Sequence, residues 1–223
     1  MVMVIRNILK AGLNFIWPLK CHICDIALDP LSDMVFCERC EGGFRRNTLA
    51  PSGYINRYYD SVTSPYIYEG IMREAIHLFK YKRDEAAGGR LAELLCETIP
   101  DDGIICGADV IVPLPLYKRN LRKRRYNQAM VLAKMVSERS GLPITESLKK
   151  HKATPAQTGL SAKKRASNVK GAFICEDARR INGKRVLLVD DVYTTGNTAD
   201  EASRVLKKAG ARSVDVLTLA RSL

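Results

Sequence analysis

Two groups of residues in this 223-residue chain have the types and spacing to do chemistry. The first is the run Val186 to Thr198, VLLVDDVYTTGNT, where an aliphatic stretch ends in Asp190 and Asp191 and is followed by Thr194, Thr195, Gly196, Asn197 and Thr198. Ligands of open α/β sheets bind at the carboxyl ends of strands. A 5′-phosphate would sit on that turn, held by backbone N–H groups, threonine hydroxyls and the positive end of the following helix. Gly196 lets the backbone approach closely. The paired carboxylates suit ribose hydroxyls, with Mg²⁺ bridging hydroxyls and pyrophosphate. The run is not a Walker A loop, because no Gly-Lys-Ser/Thr follows. A buried strand ending in an exposed Asp-Asp turn with a Thr-rich N-cap is the plain structural alternative. The presence of every element in register between a strand and a helix favours the sugar-phosphate site.

The second group is cysteine. Cys21-His22-Ile23-Cys24 and Cys37-Glu38-Arg39-Cys40 are two C-x₂-C pairs separated by twelve residues. Four thiolates on two tight turns can meet at one tetrahedral ion with metal–sulfur distances of about 2.3 Å. Zinc is the expected metal; iron on the same four sulfurs, or two redox pairs, are the alternatives. A closed four-thiolate site is structural, holding a fragment too small to fold on its own core. Asp25, Asp29-Pro30 and Ser32-Asp33 supply turn chemistry for a small ribbon between the pairs, and His22 is not needed as a ligand. Cys96, Cys106 and Cys175 stand alone. Seven cysteines used in this way fit a reducing compartment, and a cytoplasmic location is expected.

These residues need a scaffold, and 24.9 kDa is enough for one substantial core with a small appendage. With 46% hydrophobic and 27% charged residues, the composition excludes a disordered, fibrous or low-complexity protein. Ile5, Ile8, Leu9, Leu13 and Ile16 predict a short amphipathic helix before Trp17-Pro18, with neither a signal peptide nor a bilayer-spanning segment. A polar stretch from Ser52 to Ser64 reads as a linker. The expected units are therefore 1–59, the N-terminal helix and four-cysteine module, and 60–223, the main domain.

Within that domain, Val62 to Tyr68 is β-prone. Met72 to Lys80 and Leu91 to Ile99 have helical spacing, and Asp109 to Val112 is a short strand ending at Pro113. Asn127 to Arg139 is a helix stopped by Gly141. Val186 to Val189 and Val214 to Leu219 are strands, with a helix over Ala199 to Ala209 between them. Alternating strands and helices predict parallel β-α-β units. The polar interval from Glu146 to Lys170 reads as a long functional loop.

The net charge of +12 is unevenly placed. Between Tyr117 and Lys170, fifteen Lys and Arg face only Glu138 and Glu146, a net +13. A solvated basic face is the simplest reading. A polyanionic small molecule and a nucleic-acid backbone are the two functional ones.

The run Val186 to Thr198 resembles the signature of type I phosphoribosyltransferases, with Tyr193 in place of the more usual aliphatic residue. Together with the four-cysteine pattern, it resembles the ComF/GntX family of bacterial DNA-uptake and DNA-utilisation proteins over nearly the whole chain. FKYK at 79–82, VPLP at 112–115, RRYNQ at 124–128 and the series Thr154, Gln157, Leu160-Ser161, Arg165, Asn168-Val169 agree. The family more often has RGFNQ, so Arg125 and Tyr126 depart from it.

The resemblance implies an α/β fold: a type I phosphoribosyltransferase-like parallel sheet flanked by helices, with a small N-terminal zinc-ribbon module. It assigns Asp190 and Asp191 to the ribose hydroxyls and the catalytic centre, and Thr194, Thr195, Gly196, Asn197 and Thr198 to the 5′-phosphate. The loop Pro113, Leu114, Pro115 to Lys118 and Arg119 would grip pyrophosphate, with Arg125. A mobile loop over 152–168, carrying Gln157 and Arg165, would close on the reacting centre. Phosphoribosyl pyrophosphate (PRPP) and Mg²⁺ are the implied ligands, Zn²⁺ the structural metal.

Three functions follow as expectations. The first is a PRPP-binding protein of DNA uptake and natural transformation that holds single-stranded DNA on its basic loops. Few aromatic residues accompany the charge there, mainly Tyr117 and Tyr126, so binding should be strongly salt-dependent. The second is an active Mg²⁺-dependent phosphoribosyltransferase, amidophosphoribosyltransferase-like but without glutamine hydrolysis, because the chain begins Met1-Val2 rather than with a cysteine nucleophile. The third is a non-catalytic scaffold whose knuckle docks a helicase or recombination-mediator partner.

Overall fold

A computed structural model describes residues 18–29, 31–48, 57–99, 104–152 and 169–223. The N-terminal helix expected over 5–16 lies outside them, as do Thr154, Gln157, Leu160, Ser161, Arg165 and Asn168.

The centre is a parallel sheet. Strands β1 (Ser61–Thr63) and β2 (Tyr66–Ile67) pair in succession with one edge of β7 (Ser213–Arg221); β7 pairs with β6 (Arg185–Tyr193), and β6 with β3 (Val110–Pro113). Side chains alternate across a strand, so a sheet covered on both faces has near-continuous apolar strands. In β6, Leu187 and Val189 enter one core, shared with Leu217, Leu219 and Ile111. Val186 and Leu188 enter the other, shared with Val214, Val216, Val110 and Val112. All four of these β6 residues are fully buried.

On the first face lie helices α1 (Glu38–Gly42), α2 (Gly70–His77), α3 (Glu85–Thr98) and α5 (Gln128–Ser140). On the second lie α6 (Asn197–Lys208) and a two-stranded antiparallel ribbon of β4 (Leu148–Lys150) and β5 (Phe173–Cys175). Asn127 caps α5, accepting the Ala129 N–H at 3.2 Å, and Gly141, at φ +73°, ends it in the left-handed conformation.

Three elements differ from the sequence expectation. The interval expected as a loop from Glu146 to Lys170 contains strand β4 at Leu148–Lys150, paired with β5. Strand β6 runs past the aliphatic residues through Asp190 and Asp191 to Tyr193, because Val192 and Tyr193 continue the pairing with Ala220 and Arg221. The residues after the VPLP run form helix α4 (Lys118–Arg124) rather than a continuous loop. Its sequence, KRNLRKR, has one apolar residue and therefore no amphipathic signal. Arg125 follows at φ +72°, so an arginine adopts the left-handed backbone conformation natural to glycine.

The four-cysteine module packs on the first core. Phe36, Phe44 and Tyr66 form an edge-to-face ladder with centroid distances of 5.7 and 6.1 Å, carrying contacts from the module to β2. Arg90 of α3 donates to both oxygens of Glu41, at 2.5 and 3.0 Å. His22 Nδ1 lies 2.5 Å from Asp84 Oδ2, while the other oxygen of Asp84 caps α3 by accepting the Ala87 N–H.

Candidate functional site

The carboxyl ends of β3, β6 and β7 and the start of α6 enclose a cavity of about 270 Å³. Asp190, Asp191, Thr194, Gly196 and Thr198 line it together with Leu114 and Pro115, so one pocket gathers the acidic pair, the threonine turn and the VPLP loop. Pro113 ends β3 and is buried beside Val189. Thr195 offers its carbonyl oxygen to Arg57 at 3.3 Å, and the Asn197 side chain accepts from the same guanidinium at 3.4 Å. Lys118 and Arg119 lie exposed on α4, and Lys118 lines a neighbouring cleft instead. Arg125 is exposed at the end of α4.

The turn that opens α6 has the features of an anion site. Gly196 stands at φ +75° as the N-cap of the twelve-residue α6, and no side chain caps that end. The first N–H groups of a helix have no partner within it, and the helix dipole makes this end positive. A Cβ on Gly196 would lie 2.5 Å from Tyr193 Oη and 2.8 Å from Tyr59 Oη. Those two hydroxyls are 2.8 Å apart, with their rings edge to face. Tyr193 thus supports the turn from below.

Lys80, within the FKYK run, joins the acidic pair although no local pattern in the sequence marks it. It sits on a π-helical turn, Leu78–Lys82, and its Nζ lies 2.7 Å from Asp191 Oδ1, with the two side chains only 14% and 10% exposed. Burial opposes the Lys80 charge, but the Asp191 and Asp190 carboxylates outweigh it and raise its pKa. Burial and the neighbouring Asp191 push the Asp190 carboxyl up to about 7, although Lys80, the Asp191 N–H and Lys150 act against the shift. Lys150 and Arg124 complete the cationic wall. Burial lowers the Lys150 pKa, and Asp190 offsets this in part.

The FKYK and RRYNQ runs hold this wall in place. Tyr126 donates to the Phe79 carbonyl oxygen and stacks on the Phe79 ring at 5.6 Å. Gln128 accepts from Arg124 at 3.0 Å, and Asn127 donates to the Leu114 carbonyl oxygen at 3.0 Å. One short motif therefore ties the lysine-bearing turn to the VPLP loop.

The four cysteines converge as the spacing predicts. Their sulfurs all lie within 4.8 Å of one another, and Cys24 Sγ is 3.7 Å from Cys37 Sγ. A tetrahedron with metal–sulfur bonds of about 2.3 Å has edges of about 3.8 Å, so the sulfurs fit zinc. Burial works against the Cys21 thiolate, but the N–H groups of Cys37, Cys24 and Ile23 prevail and bring the thiol down to about 6. Burial and the three other sulfurs push Cys40 up.

Strand order, the acidic pair and the threonine turn define a phosphoribosyltransferase fold, and the phosphoribosyl transferase domain model matches residues 127–222. Competence protein F of Haemophilus influenzae is 40% identical over 116 residues, 51% of each chain. DNA utilization protein YhgH of Salmonella typhi is 32% identical over 152 residues, 66% of each chain. Competence protein ComFC of Bacillus subtilis is 30% identical over 207 residues, covering 90% of this chain and 78% of that one. The chain belongs to the ComF/GntX family. The matches span about half the length of the Haemophilus relative and 66% of the Salmonella one. Among the described residues, no helix is long and apolar enough to cross a membrane.

Proposed function

We propose that this chain binds PRPP with Mg²⁺ in the cavity at the end of β6, and that it does so in the handling of single-stranded DNA during uptake. The observation that carries the reading is the convergence of Asp190 and Asp191, the uncapped start of α6 and three cations on one pocket. The N–H groups of α6 and the hydroxyls of Thr194, Thr195 and Thr198 hold the 5′-phosphate. Asp190 and Asp191 accept hydrogen bonds from the ribose hydroxyls. Lys80, Arg124 and Lys150 face the pyrophosphate. Carboxylate and phosphate oxygens are hard donors of the kind Mg²⁺ prefers, and the ion supplies charge neutralisation to the pyrophosphate. The four-cysteine cluster holds zinc as a structural ion.

The DNA half of the reading rests on the basic segment Tyr117 to Lys170 and on the relatives, which are competence and DNA utilization proteins. Turnover of PRPP as a transferase is a second reading, favoured by the complete acidic pair and turn. The test is a titration of the protein with PRPP and Mg²⁺, repeated with single-stranded DNA present. Saturable PRPP binding together with salt-sensitive strand binding supports the proposal; absence of PRPP binding contradicts it.

A further inference from the structure

A second cleft opens beside the sugar-phosphate cavity, between α4, the start of α5 and the β4–β5 ribbon, with a volume of about 1100 Å³. That exceeds the roughly 300–1,000 Å³ of most small-molecule sites. Its floor is apolar, with Leu121, Tyr126, Met130, Val131 and Ile174. Leu121 and Ile174 are 40% and 44% exposed, so two large apolar side chains face solvent in one groove. Its rim carries Lys118, Lys134, Lys149, Lys150 and Arg180 against Glu146 and Glu176. Pro115, Leu116 and Lys150 line both this cleft and the cavity, so the two spaces adjoin.

We propose that this cleft is the seat of the DNA strand: bases lie on the Leu121–Tyr126–Ile174 floor and phosphates on the lysine and arginine rim, beside the PRPP cavity. The proposal rests on the strand-binding reading above and gives it a location. A single strand exposes planar apolar base faces and evenly spaced phosphates at once, whereas a duplex stacks those faces away and presents phosphates and base edges. An apolar floor with a cationic rim matches the first pattern. Because Lys150 lines both spaces, a bound strand and bound PRPP lie against the same side chain.

The test is fluorescence anisotropy of a labelled oligothymidylate with the full chain across a salt series. Lys134→Gln with Arg180→Gln removes two exposed rim cations that do not line the PRPP cavity; Arg73→Gln with Lys184→Gln removes two exposed cations elsewhere. The rim double variant should bind more weakly and lower the slope of log K against log salt by about 1.4, at about 0.7 per neutralised phosphate. PRPP binding should be unchanged in it, and the distant pair should leave the slope intact. Leu121→Gln with Ile174→Gln should weaken binding without changing the slope. Equal losses in the two cation pairs, or competition by polyglutamate as strong as by unlabelled strand, would overturn the placement. Absence of strand binding by the wild-type chain at low salt would defeat the strand-binding reading itself, and the placement with it.

Discussion

Lys80 Nζ lies 2.7 Å from Asp191 Oδ1 in the wall of the cavity at the end of β6, an ion pair between residues on a π-helical turn and on the central strand. Single π-turns inside helices are often found at functional sites. This one places an ammonium group against the acidic pair that would hold the ribose. Lys80→Met leaves two adjacent carboxylates without that counter-charge. We expect a stability loss of up to roughly 3 kcal/mol, the low end for breaking a buried pair, because both groups line an open cavity. Thermal unfolding checks it, and added Mg²⁺ should raise the midpoint of the variant more than that of the wild type. Equal midpoints for the two proteins would count against the pair.

Asp190 ties the site to pH. Its carboxyl, ordinarily near 3.8, is raised to about 7 in the folded chain, so between those values the folded state holds a proton that the unfolded chain has released. Stability therefore falls as pH rises through that window, with the full benefit below it and no further slope above it. Asp190→Asn should flatten this part of the profile. Binding of magnesium and ribose hydroxyls favours the carboxylate, so PRPP binding at pH 7 should release about half a proton per site. Calorimetry in two buffers of different ionisation enthalpy reads that release directly, and a buffer-independent heat would argue against it.

Gly196 has no room for a side chain. An alanine there must hold φ +75° and place its Cβ 2.5 Å from Tyr193 Oη. The backbone conformation alone costs roughly 1–2 kcal/mol for a residue with a Cβ. A turn that relieves this strain leaves the anion-binding conformation, so Gly196→Ala should weaken PRPP binding by about five- to thirtyfold, 1.4 kcal/mol being a factor of ten. Adding Tyr193→Phe should recover part of the loss, by relieving the contact but not the backbone strain. Full additivity of the two changes would show that the hydroxyl does not support the turn.

How much of this was legible in the sequence varies by element. The strand, turn and helix around Asp190 to Thr198 were readable because aliphatic, acidic and threonine residues follow one another within a single local unit. The four cysteines were readable because metal geometry constrains their spacing. Lys80 was not, because its pairing with Asp191 depends on a π-turn and on contacts from Tyr126 and Gln128 that no local pattern encodes. Helix α4 was missed because KRNLRKR carries no apolar stripe, and Arg57, which reaches Asn197 and Asp200, lay in an apparent linker.

The cysteine module is joined to the site through His22, Asp84 and the turn that ends at Lys82. Metal analysis should find one zinc per chain, lost in Cys40→Ser. Structural zinc contributes folding energy directly, so chelation should lower the unfolding midpoint. It should also weaken PRPP binding by loosening the segment that carries Lys80. A chelated protein with unchanged midpoint and affinity would show that the two parts are independent.

Isothermal titration of PRPP with Mg²⁺ into the wild-type chain and into the double variant Asp190→Asn with Asp191→Asn decides whether the acidic pair forms a PRPP site. Saturable binding by the wild type and none by the variant is expected, with both proteins folded by circular dichroism. Equal affinity in the two proteins would show that the acidic pair does not hold PRPP.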